Sequence, residues 1–354
     1  MIKFFNVHLQ YQQDREAYLD LADRVYSSGQ VINGEYCRKL ENSLKFRTGR
    51  KYCVLTASCT DALAFVGEHC VSENSTTIFP DISFPATSAG FVRGHDHRKH
   101  TVKYAGVDHN GLIDLNHLEE LVAQPGDKTV VWANLFGHVI DHDALLDIQA
   151  KNPHVIFVED AAQSFGATWG YTASGAMGIA SCFSFDPTKN LSAFGLGGAV
   201  LTDSAELAEA VDLHRRPHTA RWINHGHNSQ INEVDAAVVW WKLENRFDSW
   251  QQRRTDIANY YISELSDVVD MVLPKQNCTS AWHKFVIKTQ NRSSVQSSLK
   301  EHGVDTRIHY PRTLSDRETE FTRSCLSLPI YPELTDSEVE HIASSTVTAV
   351  KLFS

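Results

Sequence analysis

Long hydrophobic runs are absent from this 354-residue sequence. Its apolar stretches fall far short of the roughly 18 residues that a membrane-crossing helix needs. The opening MIKFFNVHLQYQQDRE has neither the apolar centre nor the small-residue cleavage site of a signal peptide, so a cytoplasmic protein is expected. Positive charge is also in deficit. Lys and Arg number 33 against 43 Asp and Glu, a net charge of -10, which leaves no basic field for a phosphate backbone or an anionic lipid surface. Neither nucleic acid nor membrane is an expected partner. Cysteine is sparse and unpatterned: Cys37, Cys53, Cys59, Cys70, Cys182, Cys278 and Cys325 form an odd set without a C-x-x-C pair, and they are expected to be reduced core residues. Internal repeats and low-complexity tracts are missing, which excludes solenoids and disordered arrays.

What is present is the composition of a folded protein, 42% hydrophobic and 10% aromatic, long enough for a large domain and a smaller one. Short apolar runs at 52–55, 77–79, 102–107, 130–135, 155–158, 182–185 and 199–202 alternate with helix-like segments such as 61–71, 115–122 and 143–150. The runs are apolar on successive residues, as in strands covered on both faces, so a parallel-type sheet in an α/β domain is expected. Asp203 with Glu206, and Thr335 with Glu338, have the spacing of helix starts. Helical patterns at 233–245 and 251–265 lead into shorter segments at 285–288, 293–302 and 337–350. The boundary is therefore placed at 245: residues 1–245 form a large α/β domain, and 246–354 a small α+β domain. A helix over 14–27, ahead of Gly29, is expected to reach across to the second domain.

Two acidic residues end one apolar run, in Val155-Ile-Phe-Val-Glu-Asp-Ala-Ala-Gln163. A carboxylate at the carboxyl edge of an α/β sheet stands where such proteins bind ligands. In Ser181-Cys-Phe-Ser-Phe-Asp-Pro-Thr-Lys189 a lysine sits among aromatic and small residues, where desolvation lowers the pKa of an amine as a Schiff-base lysine requires. Alone, the Glu159-Asp160 pair is as readily a helix cap and Lys189 a solvated loop lysine. Together they match what pyridoxal phosphate needs, an acid for the pyridinium proton and an amine for the aldehyde. Ser58-Cys-Thr60-Asp61, hydroxyl residues opening a helix after a strand, offer free N–H groups to a phosphate, and Ser184 adds a hydroxyl. Gly195-Leu-Gly-Gly198 lacks the spacing and the strand-to-helix setting of a dinucleotide fingerprint, so a Rossmann site is not expected. The histidines in Gly94-His-Asp-His-Arg-Lys-His100 alternate with charges in what reads as a surface loop, and no metal is expected. Trp240-Trp241 reads as core or dimer packing.

Motifs in order along nearly the whole chain give it a resemblance to the DegT/DnrJ/EryC1/StrS sugar aminotransferases, pyridoxal-phosphate enzymes of fold type I with a mostly parallel seven-stranded sheet. Those motifs are Ser28-Gly-Gln-Val-Ile-Asn-Gly34, Ser58-Cys-Thr-Asp-Ala-Leu63, Ile82-Ser-Phe-Pro-Ala-Thr87, Gly137 before Asp141-His-Asp143, and Glu159-Asp-Ala-Ala-Gln163. Cys182-Phe-Ser-Phe, Lys189-Asn-Leu, Gly197-Gly198, Gly226-His-Asn228, Arg253-Arg254, His309-Tyr-Pro311 and Ser327-Leu-Pro329 follow.

The resemblance implies that Lys189 bonds the cofactor and moves the proton, Asp160 pairs with the ring nitrogen, Gln163 meets the phenolic oxygen and Phe84 stacks on the ring. It further implies that Thr60, the backbone of Asp61, and Ser184 hold the phosphate. Asn228 would reach the phosphate in a neighbouring subunit of a homodimer, and His309 and Tyr310 would line the sugar site. The implied reaction moves an amino group from an amino acid, L-glutamate by resemblance, to the ketone of a nucleotide-linked keto-deoxysugar, in surface polysaccharide (lipopolysaccharide) or secondary-metabolite biosynthesis. A cofactor-dependent sugar dehydratase and a non-catalytic regulatory relative are the alternatives. Some relatives replace the lysine with histidine and become dehydratases, so Lys189 points to transamination. Two positions depart from the pattern: Cys59 stands where glycine is commonest, and Gln230 where many members have arginine.

Overall fold

The computed structural model describes residues 1–93, 95–96, 99–216 and 226–353. Its central sheet has seven strands in the order Tyr52–Thr56, Gly198–Thr202, Ala180–Ser184, Ile156–Asp160, Lys128–Ala133, Thr76–Pro80 and Thr101–Ala105. Gly198–Thr202 runs antiparallel to both neighbours, and the other six strands share one direction. The expected mostly parallel seven-stranded α/β sheet is therefore present. Each strand lies at one of the expected apolar runs, but the hydrogen-bonded ladders begin or end beyond several of them. The run at 155–158 starts one residue before Ile156–Asp160 and covers its first three residues, and the last two residues of the strand are acids.

Side chains alternate between the two faces of the sheet. Val54, Phe79, Val131, Val158, Cys182 and Val200 pack on one face against the helices Cys59–Cys70 and Ala205–His214. On the other face Ile78, Val130, Trp132 and Phe157 meet Leu118 and Leu145 of the helices Leu115–Val122 and His142–Lys151. Leu55, Phe183 and Leu201 there meet Leu40, Leu44 and Val239 of Glu35–Thr48 and Glu233–Asn245. Burial on both faces is the physical reason the strands read as unbroken apolar runs. The seven cysteines are free thiols, six of them buried and Cys53 half-buried.

Beyond Asn245, Phe247–Leu265 leads to a three-stranded antiparallel sheet of Asp270–Met271, Phe285–Lys288 and Cys325–Leu328. The helices Arg292–Glu301 and Asp336–Phe353 close a second core around Tyr261, Leu299, Leu326 and Ile342. The N-terminal helix Arg15–Ser28 ends at Gly29, whose φ of 69° is left-handed, a conformation glycine takes without steric cost. This helix packs on Glu233–Asn245, where Tyr18 meets the Trp241 ring edge-on at 5.3 Å and Leu21 and Val25 meet Ala237, and the Asp14 carboxylate before it pairs with Arg246, just beyond residue 245. It is the segment before it that reaches the second core, through Ile2 and Leu9. Trp240 and Trp241 are half-buried and pack within the chain, against Tyr36 and Tyr18.

Of the two expected helix starts, Thr335 and Glu338 exchange capping bonds. Asp203 does not cap. Its carboxylate is taken by Arg50 at 2.9 Å and by the amide of Lys51, and Ser204 caps the helix through the amide of Leu207. Within 94–100, Gly94, His97 and Arg98 lie outside the described residues. His100 Nε2 meets Thr77 Oγ1 at 2.8 Å. Among the described residues no group of three or more His, Cys, Asp or Glu is placed to hold a metal, and no helix is long and apolar enough to cross a membrane.

Candidate active site

Six parallel strands deliver their carboxyl ends to one edge of the sheet, and the loops there enclose a cavity of about 510 Å³. This is the expected place and size for a small-molecule site in an open α/β sheet. Thr60, Phe84, Asp160, Gln163, Ser184, Lys189, His309 and Tyr310 all line it. Asp61 and Asn228 do not. The Asp61 amide is used by the Ser58 hydroxyl, and its carboxylate is held by Arg93 at 2.9 Å and Ser229 at 2.7 Å. Asn228 is exposed, beside Ser229, which also fastens this segment to the amide of Ala57.

Strand alternation separates the two adjacent acids. Glu159 faces the side of Phe157's neighbours at Asn134, Ser174 and Gly175, accepting from them at 2.8, 2.7 and 2.9 Å, and serves to lock those loops. Asp160 faces the helix Cys59–Cys70 and the cavity. Its carboxylate accepts from Thr87 Oγ1 at 2.6 Å and from the Ala162 amide at 3.1 Å. Because the single Thr87 proton goes to Asp160, Ser83 Oγ, 2.7 Å away, donates to Thr87. Burial pushes the Asp160 pKa up, and its hydrogen bonds and Lys189 only partly offset this. Asp160 forms no ion pair among the described residues, so it is a buried carboxylate lacking a cation.

Lys189 lies on the loop after Ala180–Ser184, in a turn made by its amide and the Asp186 carbonyl. The residue is half-buried and lines the cavity. Burial lowers its pKa, against the opposing pull of Cys59, Asp186 and Asp160. That makes its neutral, nucleophilic form accessible. Beside it, Asn190 donates to the Ala281 carbonyl and meets His283 Nδ1 at 3.2 Å.

At the other end of the cavity Ser58, with φ of -160°, caps the helix Cys59–Cys70 by accepting from the Asp61 amide. The first-turn amides of Cys59 and Thr60 have no acceptor within the helix, and the helix dipole favours an anion there. Cys59 opens the helix with ordinary helical backbone, so a side chain fits where glycine is commoner. Gly198 cannot carry one. A Cβ there would stand 2.4 Å from the carbonyl carbon of Ser58 and 2.5 Å from the Cys59 amide. Gln230 accepts from the Asn33 side chain, and so meets its own chain's Ser28–Gly34 segment.

The chain after residue 245 closes the remaining wall. Phe136, at φ of 62°, and Gly137, at 93°, turn the backbone so that the Ala281 and Lys284 amides donate to the Gly137 and Phe136 carbonyls. A Cβ on Gly137 would meet the Trp282 amide at 2.5 Å. This docking brings His283 and Lys284 to the cavity. Gln163 accepts from the Phe136 amide at 3.1 Å and donates to the Tyr310 hydroxyl at 2.8 Å. His309 is pushed down to about 3 by burial and by Lys284, Lys189 and Arg307, so it is neutral, with Nδ1 2.9 Å from Ser327 Oγ.

Thr87, Ser83, Asn134, His283 and Lys284 were not among the residues expected from sequence. Thr87 and Ser83 lie inside the Ile82–Thr87 motif, whereas Lys284 is marked only by preceding the apolar run Phe285-Val-Ile.

The model of the DegT/DnrJ/EryC1/StrS aminotransferase family matches residues 12–347. The chain is 32% identical to the erythromycin biosynthesis sensory transduction protein EryC1 of Saccharopolyspora erythraea, over 97% of this chain and 98% of that one. It is 30% identical to the dTDP-3-amino-3,4,6-trideoxy-alpha-D-glucose transaminase of Streptomyces venezuelae, over 94% and 92% of the two chains. Its fold superposes on the crystal structure of S. venezuelae DesV in complex with a ketimine intermediate with a TM-score of 0.91 at 26% identity, covering 99% and 98% of the chains. The protein belongs to the DegT/DnrJ/EryC1/StrS aminotransferase family.

Proposed function

We propose that the chain is a pyridoxal-phosphate-dependent aminotransferase that passes an amino group from an amino acid, L-glutamate in our reading, to the ketone of a nucleotide-linked keto-deoxysugar. The observation that carries this reading is the pairing in one cavity of Lys189, an amine with a lowered pKa, and Asp160, a buried carboxylate without a cation. Family membership and a transaminase relative on a nucleotide sugar support it. Pyridoxal phosphate supplies, when bound, an aldehyde for the amine and a ring that withdraws electrons from the reacting carbon.

The residues present fit that group. Asp160 provides the counter-charge for a protonated ring nitrogen, and Thr87 with the Ala162 amide fixes its orientation. The amides of Cys59 and Thr60, with the Thr60 and Ser184 hydroxyls, suit the phosphate end. Phe84, 56% exposed at the mouth, offers a ring face for stacking. Gln163, oriented by the Phe136 amide and Tyr310, has a second N–H left for the phenolic oxygen. Lys189 holds a proton and delivers it to the face of the substrate carbon that it meets. Tyr310 and His309 shape the wall on the substrate side.

A dehydratase is disfavoured because an amine occupies the proton-transfer position. The word "sensory" in one relative's name raises a regulatory reading, and an intact Lys189–Asp160 constellation speaks against it. The test is a glutamate-coupled assay over dTDP-, UDP- and GDP-linked 3- and 4-keto sugars. Formation of 2-oxoglutarate with at least one sugar is expected, and none with any sugar would overturn the assignment.

We further read the working unit as a homodimer in which Asn228 serves the partner's site. Asn228 is exposed and outside its own cavity, and Phe84 and Leu196 are exposed apolar residues on the cavity wall. Mixing the inactive variants Lys189→Ala and Asn228→Leu should restore activity by rebuilding one intact site in each mixed dimer. A domain boundary at 245 is supported by the separate apolar core that starts at Ile257. Free cysteines suit the cytoplasm, and a role in polysaccharide or secondary-metabolite sugar synthesis follows from the proposed substrate.

A further inference from the structure

Lys284 is a buried lysine for which no ion pair forms among the described residues. It lines the cavity that holds Lys189 and Asp160, and also an adjoining one of about 160 Å³ walled by Phe4, Arg254, Arg307 and Tyr331. Its ammonium lies over the Phe4 ring at 5.2 Å, and the Arg307 guanidinium flanks the same ring at 6.0 Å. A buried cation without a counter-charge is costly, so it is kept where an anion arrives during function. In the transaminase reading the phosphate end of the cofactor cavity is already provided for by Cys59, Thr60 and Ser184, none of which lines the adjoining cavity.

We propose that Lys284 is the cation that receives a carboxylate of the amino-acid donor, with Arg307 across the Phe4 ring as the outer member of the same subsite. This rests on the transaminase reading, in which one cavity must admit an amino acid and a sugar ring in turn. A fixed charge would be left unpaired beside the sugar. Lys284 avoids this, because burial together with Lys189 and Arg254 brings its pKa down to about 7, with Asp186 pulling the other way. The neighbouring His283 and His309 are held neutral by burial and by these same cations. Arg307 is exposed and paired with Asp305 at 2.6 Å, so it contributes a permanent but screened charge. Lys284 therefore takes a proton from solvent when a carboxylate enters and returns it when the carboxylate leaves.

The test is calorimetric titration of the cofactor-loaded protein at pH 8 with glutarate, a dicarboxylate that has no amine to react, in two buffers of different ionisation enthalpy. The wild-type protein should bind glutarate with uptake of about one proton. Lys284→Met should weaken binding about 10- to 100-fold and abolish the uptake. Lys284→Arg should retain binding without uptake, which a purely structural role for the lysine would not produce. Equal affinity and equal uptake in wild-type and Lys284→Met, or no binding by the wild-type, would overturn the proposal. The titration needs no turnover. Failure of the wild-type protein to convert L-glutamate would instead count against the transaminase reading.

Discussion

Glu159 and Asp160 are consecutive residues of one strand that face opposite sides of the sheet, and their roles divide accordingly. Glu159 is spent on the protein, tying Asn134, Ser174 and Gly175 together. Asp160 is held by Thr87 and the Ala162 amide with its charge directed at the cavity. One strand thus supplies a structural lock and, at the next position, a buried carboxylate that lines the cavity.

Asp160→Asn should stabilise the cofactor-free protein while disabling it. The folded-state pKa of Asp160 is raised, so the folded protein holds its proton more tightly than the unfolded chain. Stability is therefore lost as pH rises from the ordinary carboxylate range through the raised value, and the cost persists above it. The variant is expected to be about 1 kcal/mol more stable at neutral pH, with the gap closing on acidification. Urea unfolding over a pH series checks this. With Asp160 as the proposed partner of the ring nitrogen, the substitution should lower transamination about 10²- to 10³-fold.

Removal of the Lys189 amine should cut turnover roughly a thousandfold or more, since proton transfer by a positioned group alone contributes about 10²- to 10⁴-fold. Lys189→Ala should still retain pyridoxal phosphate non-covalently, seen as cofactor recovered after gel filtration with an altered absorption band. Ordinary steady-state rates in this variant would remove Lys189 from the mechanism.

Ser184→Ala should weaken cofactor affinity about tenfold, the value of one hydrogen bond to a charged group. Quenching of protein fluorescence during a cofactor titration measures this. An unchanged affinity would place the phosphate away from Ser184.

Gly198→Ala tests how closely the backbone before the helix Cys59–Cys70 crosses the last strand. The added methyl would fall within 2.5 Å of the Cys59 amide, backbone that cannot rotate away. A loss of about 1–3 kcal/mol in stability is expected, with weaker cofactor retention because the amides proposed to hold the phosphate shift. Thermal unfolding with and without cofactor reports both.

Much of the fold was legible because strands buried on both faces leave unbroken apolar runs, and the acids ending one run marked the ligand edge. Strand limits were not, since ladder bonds depend on partners far away in sequence. Asp203 has the spacing of a cap but is captured by Arg50 and the Lys51 amide, so the cap passes to Ser204. The helix Glu35–Thr48 is not among the elements expected from sequence, although its buried Tyr36, Leu40 and Leu44 recur at helical spacing. Eight site residues were readable from local motifs. His283 and Lys284 were not, because the turn at Phe136-Gly137 recruits them from more than a hundred positions downstream.

The most direct measurement of the central claim is chemical. The protein is incubated with pyridoxal phosphate, treated with borohydride to reduce any covalent bond between cofactor and amine, digested and mapped by mass spectrometry. Two lysines with lowered pKa line the cavity, and the account predicts that the reduced cofactor is found on the peptide containing Lys189, with Lys284 unlabelled. Attachment at Lys284, or no attachment at all, would contradict it.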